Sequence, residues 1–240
     1  EYYFSSLSEA ISLFLPYSVG VDHCVDPMDE METKTFPAVH GRTQRSAPTL
    51  SDMQQNACDQ LLKKEKALLF GVTGSGKTEI FITLMAKMLE EGKSSIFLMP
   101  EISLTPQMEK RLKKYFGERV AIWHSKLSKK KKEEILEGIY SGQIRIVAGA
   151  RSALFVPLAN LGLIVVDEEH DDSYKAMTRP RYHARDVAVL MGQKLGAKVV
   201  LASATPSMTS YHKYEVVKLD KPFIRTEKKF TFITGDKIGQ

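Results

Sequence analysis

Two short segments of this chain carry side chains that could do chemistry together. The first runs Gly71, Val72, Thr73, Gly74, Ser75, Gly76, Lys77, Thr78. Glycines at this spacing let consecutive main-chain N–H groups curl around phosphates with no Cβ in the way. A lysine in the position of Lys77 can reach the β- and γ-phosphates, and a hydroxyl in the position of Thr78 can hold magnesium. The second segment runs Asp167, Glu168, Glu169, His170, directly after the apolar Leu163–Val166. Asp167 is placed to hold magnesium, and Glu168 to polarise an attacking water as a general base. Glu169 reads as a solvated or structural acid, and His170 as a sensor of the γ-phosphate. Alone, either segment has a plainer reading, a glycine loop or a solvated acidic turn. In this order they indicate a nucleoside triphosphate, magnesium and hydrolysis.

Both segments need a frame that brings them to one edge. From about Thr49, short apolar runs alternate with amphipathic stretches. Strands are expected at Ala67–Phe70, Ser95–Met99, Val120–Trp123, Ile144–Ala148, Leu163–Val166 and Lys198–Leu201. A helix follows the phosphate loop, with Ile80, Leu84, Met88 and Phe81, Met85, Leu89 in two adjacent rows. Thr105 and Pro106 open another as cap and first residue, burying Met108, Leu112, Tyr115 and Phe116. Ser128 caps a third, whose apolar side is Ile135, Leu136, Ile139 and Tyr140. His183–Leu195 forms a fourth. Continuous apolar strands alternating with helices imply a parallel sheet covered on both faces by right-handed crossovers. The phosphate loop and Asp167 each follow a strand, and ligands of such sheets bind outside the carboxyl ends of the strands. The expected architecture is a doubly wound α/β P-loop domain over 49–215.

The bulk composition agrees. In 240 residues, 43% are hydrophobic and 26% charged, which is ordinary for a globular chain. The net charge of +5 fits a nucleic-acid partner without requiring one. No apolar run reaches the ~20 residues of a membrane helix, so no membrane partner is expected. The start lacks Met and has no signal-peptide pattern, and reads as the middle of a longer chain. Cys24 and Cys58 form no CxxC pair and no zinc framework.

Further motifs narrow the reading. Pro100–Gln107 (PEISLTPQ), Gly149–Phe155 (GARSALF), Asp167–Asp171 with Ser173–Lys175, Pro180–Asp186 (PRYHARD) and Ser203–Ser207 (SATPS) stand in one order. The chain resembles superfamily-two helicases of the DEAH-like type. More specifically, it resembles the PriA family of replication-restart (primosomal) helicases over residues 48–212. The resemblance implies a RecA-like helicase lobe one at 49–215 that binds ATP and magnesium. It further implies 3′-to-5′ movement on single-stranded DNA at forks, with primosome and single-strand-binding proteins as partners. A cytoplasmic, nucleoid-associated location goes with that role. Residues 1–20 are similar to the end of that family's N-terminal DNA-binding region. On this reading 21–48 is a linker, and 216–240 an extension toward a second lobe. That lobe, with its arginine finger, and the family's zinc-binding cysteines are not in this chain. The chain is therefore expected to be a fragment that turns over ATP slowly or not at all. Two rivals stand beside this reading. One is another superfamily-two translocase, which the Pro180–Asp186 segment argues against. The other is a P-loop switch or scaffold that binds ATP without translocating.

The resemblance also assigns roles, each beside a plainer one. Gln54, preceded by Leu50, corresponds to an adenine-contacting glutamine, with Gln55 as the neighbouring choice. Ser203 and Thr205 correspond to the segment coupling hydrolysis to motion, or are helix caps before Pro206. Arg151 and Ser152 correspond to residues gripping single-stranded DNA, with a salt bridge from Arg151 holding its own loop as the alternative. Thr105 and Gln107 sit at a helix start, for phosphate or for capping. Tyr174, Lys175, Arg181 and Tyr182 lie in an aromatic and basic stretch, suited to stacking on bases or to folding down as a surface loop. In it, Ala176 and Met177 stand where the family usually carries polar residues. Lys126 and Lys129–Lys132 read as a solvated helix face or as phosphate contacts.

Overall fold

The computed structural model describes residues 48–179 and 181–219. The expectations for 1–20, for almost all of the linker and for 220–240 lie outside the described residues. Seven strands form one parallel sheet: β1 (Lys66–Gly71), β2 (Ser94–Leu98), β3 (Val120–Trp123), β4 (Ile146–Gly149), β5 (Leu161–Val166), β6 (Lys198–Ser203) and β7 (Glu215–Leu219). Their order across the sheet is β3-β4-β2-β5-β6-β1-β7. Among the described residues, six α-helices connect and cover them: α1 (Asp52–Leu62), α2 (Lys77–Glu90), α3 (Pro106–Phe116), α4 (Lys129–Tyr140), α5 (Ala184–Leu195) and α6 (Met208–Lys213).

Side chains alternate between two cores, one on each face. Leu69, Phe97, Leu163, Val165 and Ala202 pack with α1, α2 and α3. Leu68, Ile96, Leu98, Ile164, Val166 and Leu201 pack with α4 and α5. This two-sided burial is why the central strands are uninterrupted apolar runs. α2 buries Ile80, Phe81, Ile82, Leu84, Met85 and Met88, each worth about 1.5–3 kcal/mol over exposure.

Helix starts follow the expected local chemistry. Thr105 accepts from Met108 N with Pro106 in the first turn, and Ser128 accepts from Lys131 N. α1, which periodicity did not reveal, is opened by a capping box between Ser51 and Gln54. Tyr140 departs from expectation: it is 66% exposed, because it ends α4 one position past the buried Ile139. The expected domain end at 215 is also corrected. Glu215 begins β7, which pairs in parallel with β1, so 216–219 belong to the sheet. β7 is an edge strand with only Val217 and Leu219 buried. It therefore lacks the continuous apolar run that marks the inner strands.

Register sets the edge where chemistry can gather. Leu98 faces Val166 across β2 and β5, and Val166 faces Leu201 across β5 and β6. Phe70 faces Ser203 across β1 and β6. The segments leaving these strands, at Gly71, Asp167 and Ser203, therefore emerge together.

Candidate nucleotide site

The phosphate loop leaves β1 at Gly71 and enters α2 at Lys77. Gly74 and Gly76 have φ of 78° and 79°, a left-handed conformation that glycine adopts without penalty. A Cβ added at Gly76 would stand 2.2 Å from Gln54 Nε2. Gln54 lies beneath the loop and is 2% exposed. Its Nε2 donates to the carbonyls of Ser75 at 3.2 Å and Gly76 at 3.5 Å, and its Oε1 accepts from Ser51 N at 2.9 Å. The amide expected to read an adenine thus clamps the loop backbone. Gln55 is exposed and bonds Asp59. Lys77 Nζ donates to Gly71 O at 2.9 Å and lies 3.7 Å from Glu168 Oε1. Among the described residues, the Ser75 hydroxyl is buried without a hydrogen-bond partner, and a Cβ at Gly74 would meet nothing within 4 Å. An open glycine turn, an unpartnered hydroxyl and an amine resting on a carbonyl fit a phosphate chain.

The acidic segment leaves β5 at the same edge. Asp167 N donates to Leu98 O at 2.9 Å, and Asp167 Oδ1 accepts from Glu168 N at 3.0 Å. Burial, reinforced by the neighbouring Glu168 carboxylate, pushes the Asp167 carboxyl up to about 6 despite Lys77. A carboxylate desolvated in this way gains most from a bound cation. Glu168 adopts a φ of 45°, one of two non-glycine residues with positive φ among those described. Its carboxylate lies 3.7 Å from Lys77, 3.7 Å from His170 Nδ1 and 3.5 Å from Ser203 Oγ.

His170 joins this site to the end of β6. Its Nδ1 lies 2.8 Å from Ser203 Oγ and its Nε2 3.3 Å from Thr205 Oγ1. Ser203 Oγ also accepts from Thr205 N at 2.9 Å. Neither hydroxyl caps a helix; Ser207 caps α6. Lys77, Thr78, Asp167, Glu168, His170, Ser203 and Thr205 thus lie on three adjacent segments of one edge.

The residues expected on DNA divide. Tyr174 is 1% exposed and donates its hydroxyl to Asp167 O at 2.6 Å. Tyr182 is 8% exposed and meets the Phe155 ring edge-to-face, with centroids 5.2 Å apart. Burial raises its phenol to about 12. Neither ring has a face free for a base, so the stacking reading is corrected for both. The cause is a local fold-back: Lys175 and His183 form an antiparallel bridge, and Ala176 N donates to Tyr182 O at 2.8 Å. Ser152 is buried too. Arg151 Nη1 donates to Lys175 O at 2.7 Å and Ser173 O at 3.3 Å, holding the loop by its carbonyls. Lys175, Arg181, Thr105 and Gln107 are exposed. In the basic run, Lys131 pairs with Glu134 at 2.9 Å and Lys129 with Glu133 at 3.9 Å, along one face of α4.

Residues 51–213 match the family model of the DEAD/DEAH box helicases. This chain belongs to the DEAD/DEAH box helicase family. Among curated proteins it is similar to replication restart protein PriA of Helicobacter pylori strain J99, with 44% identity over 96% of this chain and 34% of that protein. The PriA protein of Bacillus subtilis is 50% identical over 63% of this chain and 20% of its own length. The chain spans about a third of the length of the first of these relatives. Among solved structures, RecG bound to a three-way DNA junction matches 76% of this chain and 25% of its own, at a TM-score of 0.56 and 25% identity. The Hef helicase domain of Pyrococcus furiosus matches 70% of this chain and 38% of its own, at 0.52 and 18%. The parallel sheet with covering helices is the RecA-like lobe of these helicases.

One residue of this helicase lobe was left open by sequence reasoning. Glu169 is 0% exposed. Its carboxylate accepts from Ser207 N at 2.7 Å, Ser210 Oγ at 2.8 Å and Arg185 Nη1 at 2.9 Å. Burial pushes this carboxyl up, but those donors together hold it below the ordinary range. Of its two readings, solvated or structural, the structural one holds. An acid between Glu168 and His170 gives no sign of its orientation. Its partner Arg185 lies three residues past Tyr182, within the same aromatic and basic stretch.

Proposed function

We propose that this chain is the ATP-binding first lobe of a replication-restart DNA helicase, one that moves 3′ to 5′ on single-stranded DNA and acts at stalled forks. The similarity to PriA proteins supports the biological setting. The observation that carries the chemistry is the approach of Lys77 to Glu168 at 3.7 Å, beside the Glu168–Ser203–His170 contacts. These bring a phosphate binder, a candidate water-orienting acid and a relay to the next segment within one cluster.

In this reading Thr78 and Asp167 hold magnesium, and Gly71, Thr73, Gly74, Ser75 and Gly76 line the phosphates. Magnesium, when bound, neutralises charge on the transferring phosphoryl group. Lys77 exchanges the Gly71 carbonyl for phosphate oxygen. That exchange frees Glu168 from its ion pair to orient water. His170 passes the resulting shift to Ser203 and Thr205. Thr105, Gln107, Lys175 and Arg181 offer exposed donors to a DNA backbone, with Arg151 holding the loop that carries Lys175. A second lobe supplies the arginine that completes hydrolysis, so this lobe alone turns over ATP slowly. Forked DNA, primosome proteins and single-strand-binding proteins are the proposed partners, and the cytoplasmic nucleoid the proposed location.

Two variants of the protein at its full natural length test this. Lys77→Ala abolishes nucleotide binding and unwinding together. Glu168→Gln abolishes unwinding while ATP still binds. Unwinding that survives both substitutions sinks the motor reading. Translocation-free ATP binding by the parent protein leaves only a nucleotide switch.

A further inference from the structure

Glu168 holds a left-handed φ that a glutamate does not choose by itself, and both of its neighbours are pinned. On one side, Asp167 O accepts from Tyr174 Oη. On the other, Glu169 N donates to Ala202 O at 3.0 Å. The side chain of Glu169 has no exposure, so it cannot touch nucleotide. It gathers donors from two other segments instead. Ser207 and Ser210 belong to the start of α6, just past Ser203 and Thr205. Arg185 belongs to the first turn of α5, where the loop bridged at Lys175 and His183 ends. Arg185 also donates to Ser207 Oγ at 3.3 Å and pairs through Nε with Asp186 at 3.1 Å. Burial opposes its charge, and Glu169 and Asp186 outweigh that and hold it protonated. A buried ion pair is poor glue compared with apolar packing. Here it fixes the relative placement of three segments that converge beside Glu168.

We infer that Glu169 and Arg185 are positioning residues for ATP hydrolysis: their partly buried ion pair holds Glu168 in its strained conformation and ties it to the loop of residues 175–183. This rests on the motor reading above. The pair thus sets the placement of the proposed hydrolytic acid without contacting substrate.

The test uses the protein at its full natural length with single-stranded DNA. In the double variant Glu169→Gln with Arg185→Met, both charges go and neither is left buried alone. Its DNA-stimulated kcat for ATP falls at least about tenfold, while KM for ATP stays within about threefold. A purely structural pair would instead lower stability and leave kcat of the folded fraction unchanged. Arg185→Lys keeps the charge but loses the fork geometry, and guards against a double variant that does not fold. It lowers kcat by about three- to tenfold at unchanged KM. A parent-like kcat in whichever of these variants is folded overturns the inference. Lys77→Ala separates the two ideas. If it is inactive while the pair variants are parent-like, only the inference fails. If it retains turnover, the motor reading fails and the inference with it.

Discussion

Tyr174 reaches back through the core to donate its hydroxyl to the main-chain carbonyl of Asp167, at 2.6 Å. An aromatic residue that the resemblance assigns to DNA is thereby bonded to the main chain of the candidate nucleotide site. Tyr174→Phe keeps the ring and removes the bond, leaving Asp167 O short of a donor at a cost of about 1–3 kcal/mol. The expected outcome is a lower melting temperature and a lower kcat for ATP, with DNA affinity unchanged. Melting curves beside DNA-binding isotherms decide it. A loss confined to DNA affinity would restore the stacking role.

Gln54 offers a similar separation of roles. Its amide holds the Ser75 and Gly76 carbonyls from below. Gln54→Ala strands those carbonyls and is expected to destabilise the protein by about 1–3 kcal/mol. A loosened loop weakens the binding of every triphosphate alike, by about tenfold, because main-chain N–H groups do not discriminate bases. An adenine-reading amide predicts something else: a selective loss of ATP against GTP. Competition binding with the two nucleotides tells them apart.

What could be read from the residues, and what could not, follows the range of the interactions. The phosphate loop is local, and so are the Thr105–Pro106 and Ser128 helix starts; each is specified within a few positions. The inner strands were legible because burial on both faces removes polar residues from Leu163–Val166 and its neighbours. β7 was not, since an edge strand such as Glu215–Leu219 keeps its exposed charges. Tyr174 and Tyr182 show the deeper limit. A segment rich in Tyr, Lys and Arg has one composition whether its rings lie outward or inward. The choice is made by Arg151, Phe155 and the 175–183 bridge, contacts that span many residues. Glu169 was ambiguous for the same reason: its donors come from residues 185, 207 and 210.

Arg151 can be tested by salt. It grips the Ser173 and Lys175 carbonyls, so a loss of Arg151 disturbs the loop without removing a phosphate contact. In the full-length protein, Arg151→Met should weaken DNA stimulation of the ATPase while the slope of log affinity against log salt stays the same. Lys175→Ala, which removes an exposed cation of that loop, should reduce the slope by about 0.7, the value for one phosphate on a single strand. Binding titrations over a range of salt measure both. A reduced slope in Arg151→Met would show that this guanidinium does meet phosphate.

The Asp167 carboxyl gives a pH signature whose sign can be worked out. Its folded value is about 6, raised by burial and by Glu168 from an ordinary 3.8. The folded chain therefore keeps a proton that the unfolded chain has already released. Between about pH 4 and pH 6, stability falls as pH rises, because the fold comes to carry a desolvated charge. Asp167→Asn never carries that charge. Without nucleotide or metal, the variant should be the more stable form at pH 7, by about 1–3 kcal/mol, and the difference should vanish near pH 4. Denaturant titrations of parent and variant across this range measure it. Added magnesium should reverse the ranking at pH 7, since only the parent presents a carboxylate to the cation. Magnesium-dependent nucleotide binding by the parent should fade as pH drops through about 6, where the proton outcompetes the metal. A variant no more stable than the parent at pH 7 would mean that Asp167 is solvated enough to ionise without cost.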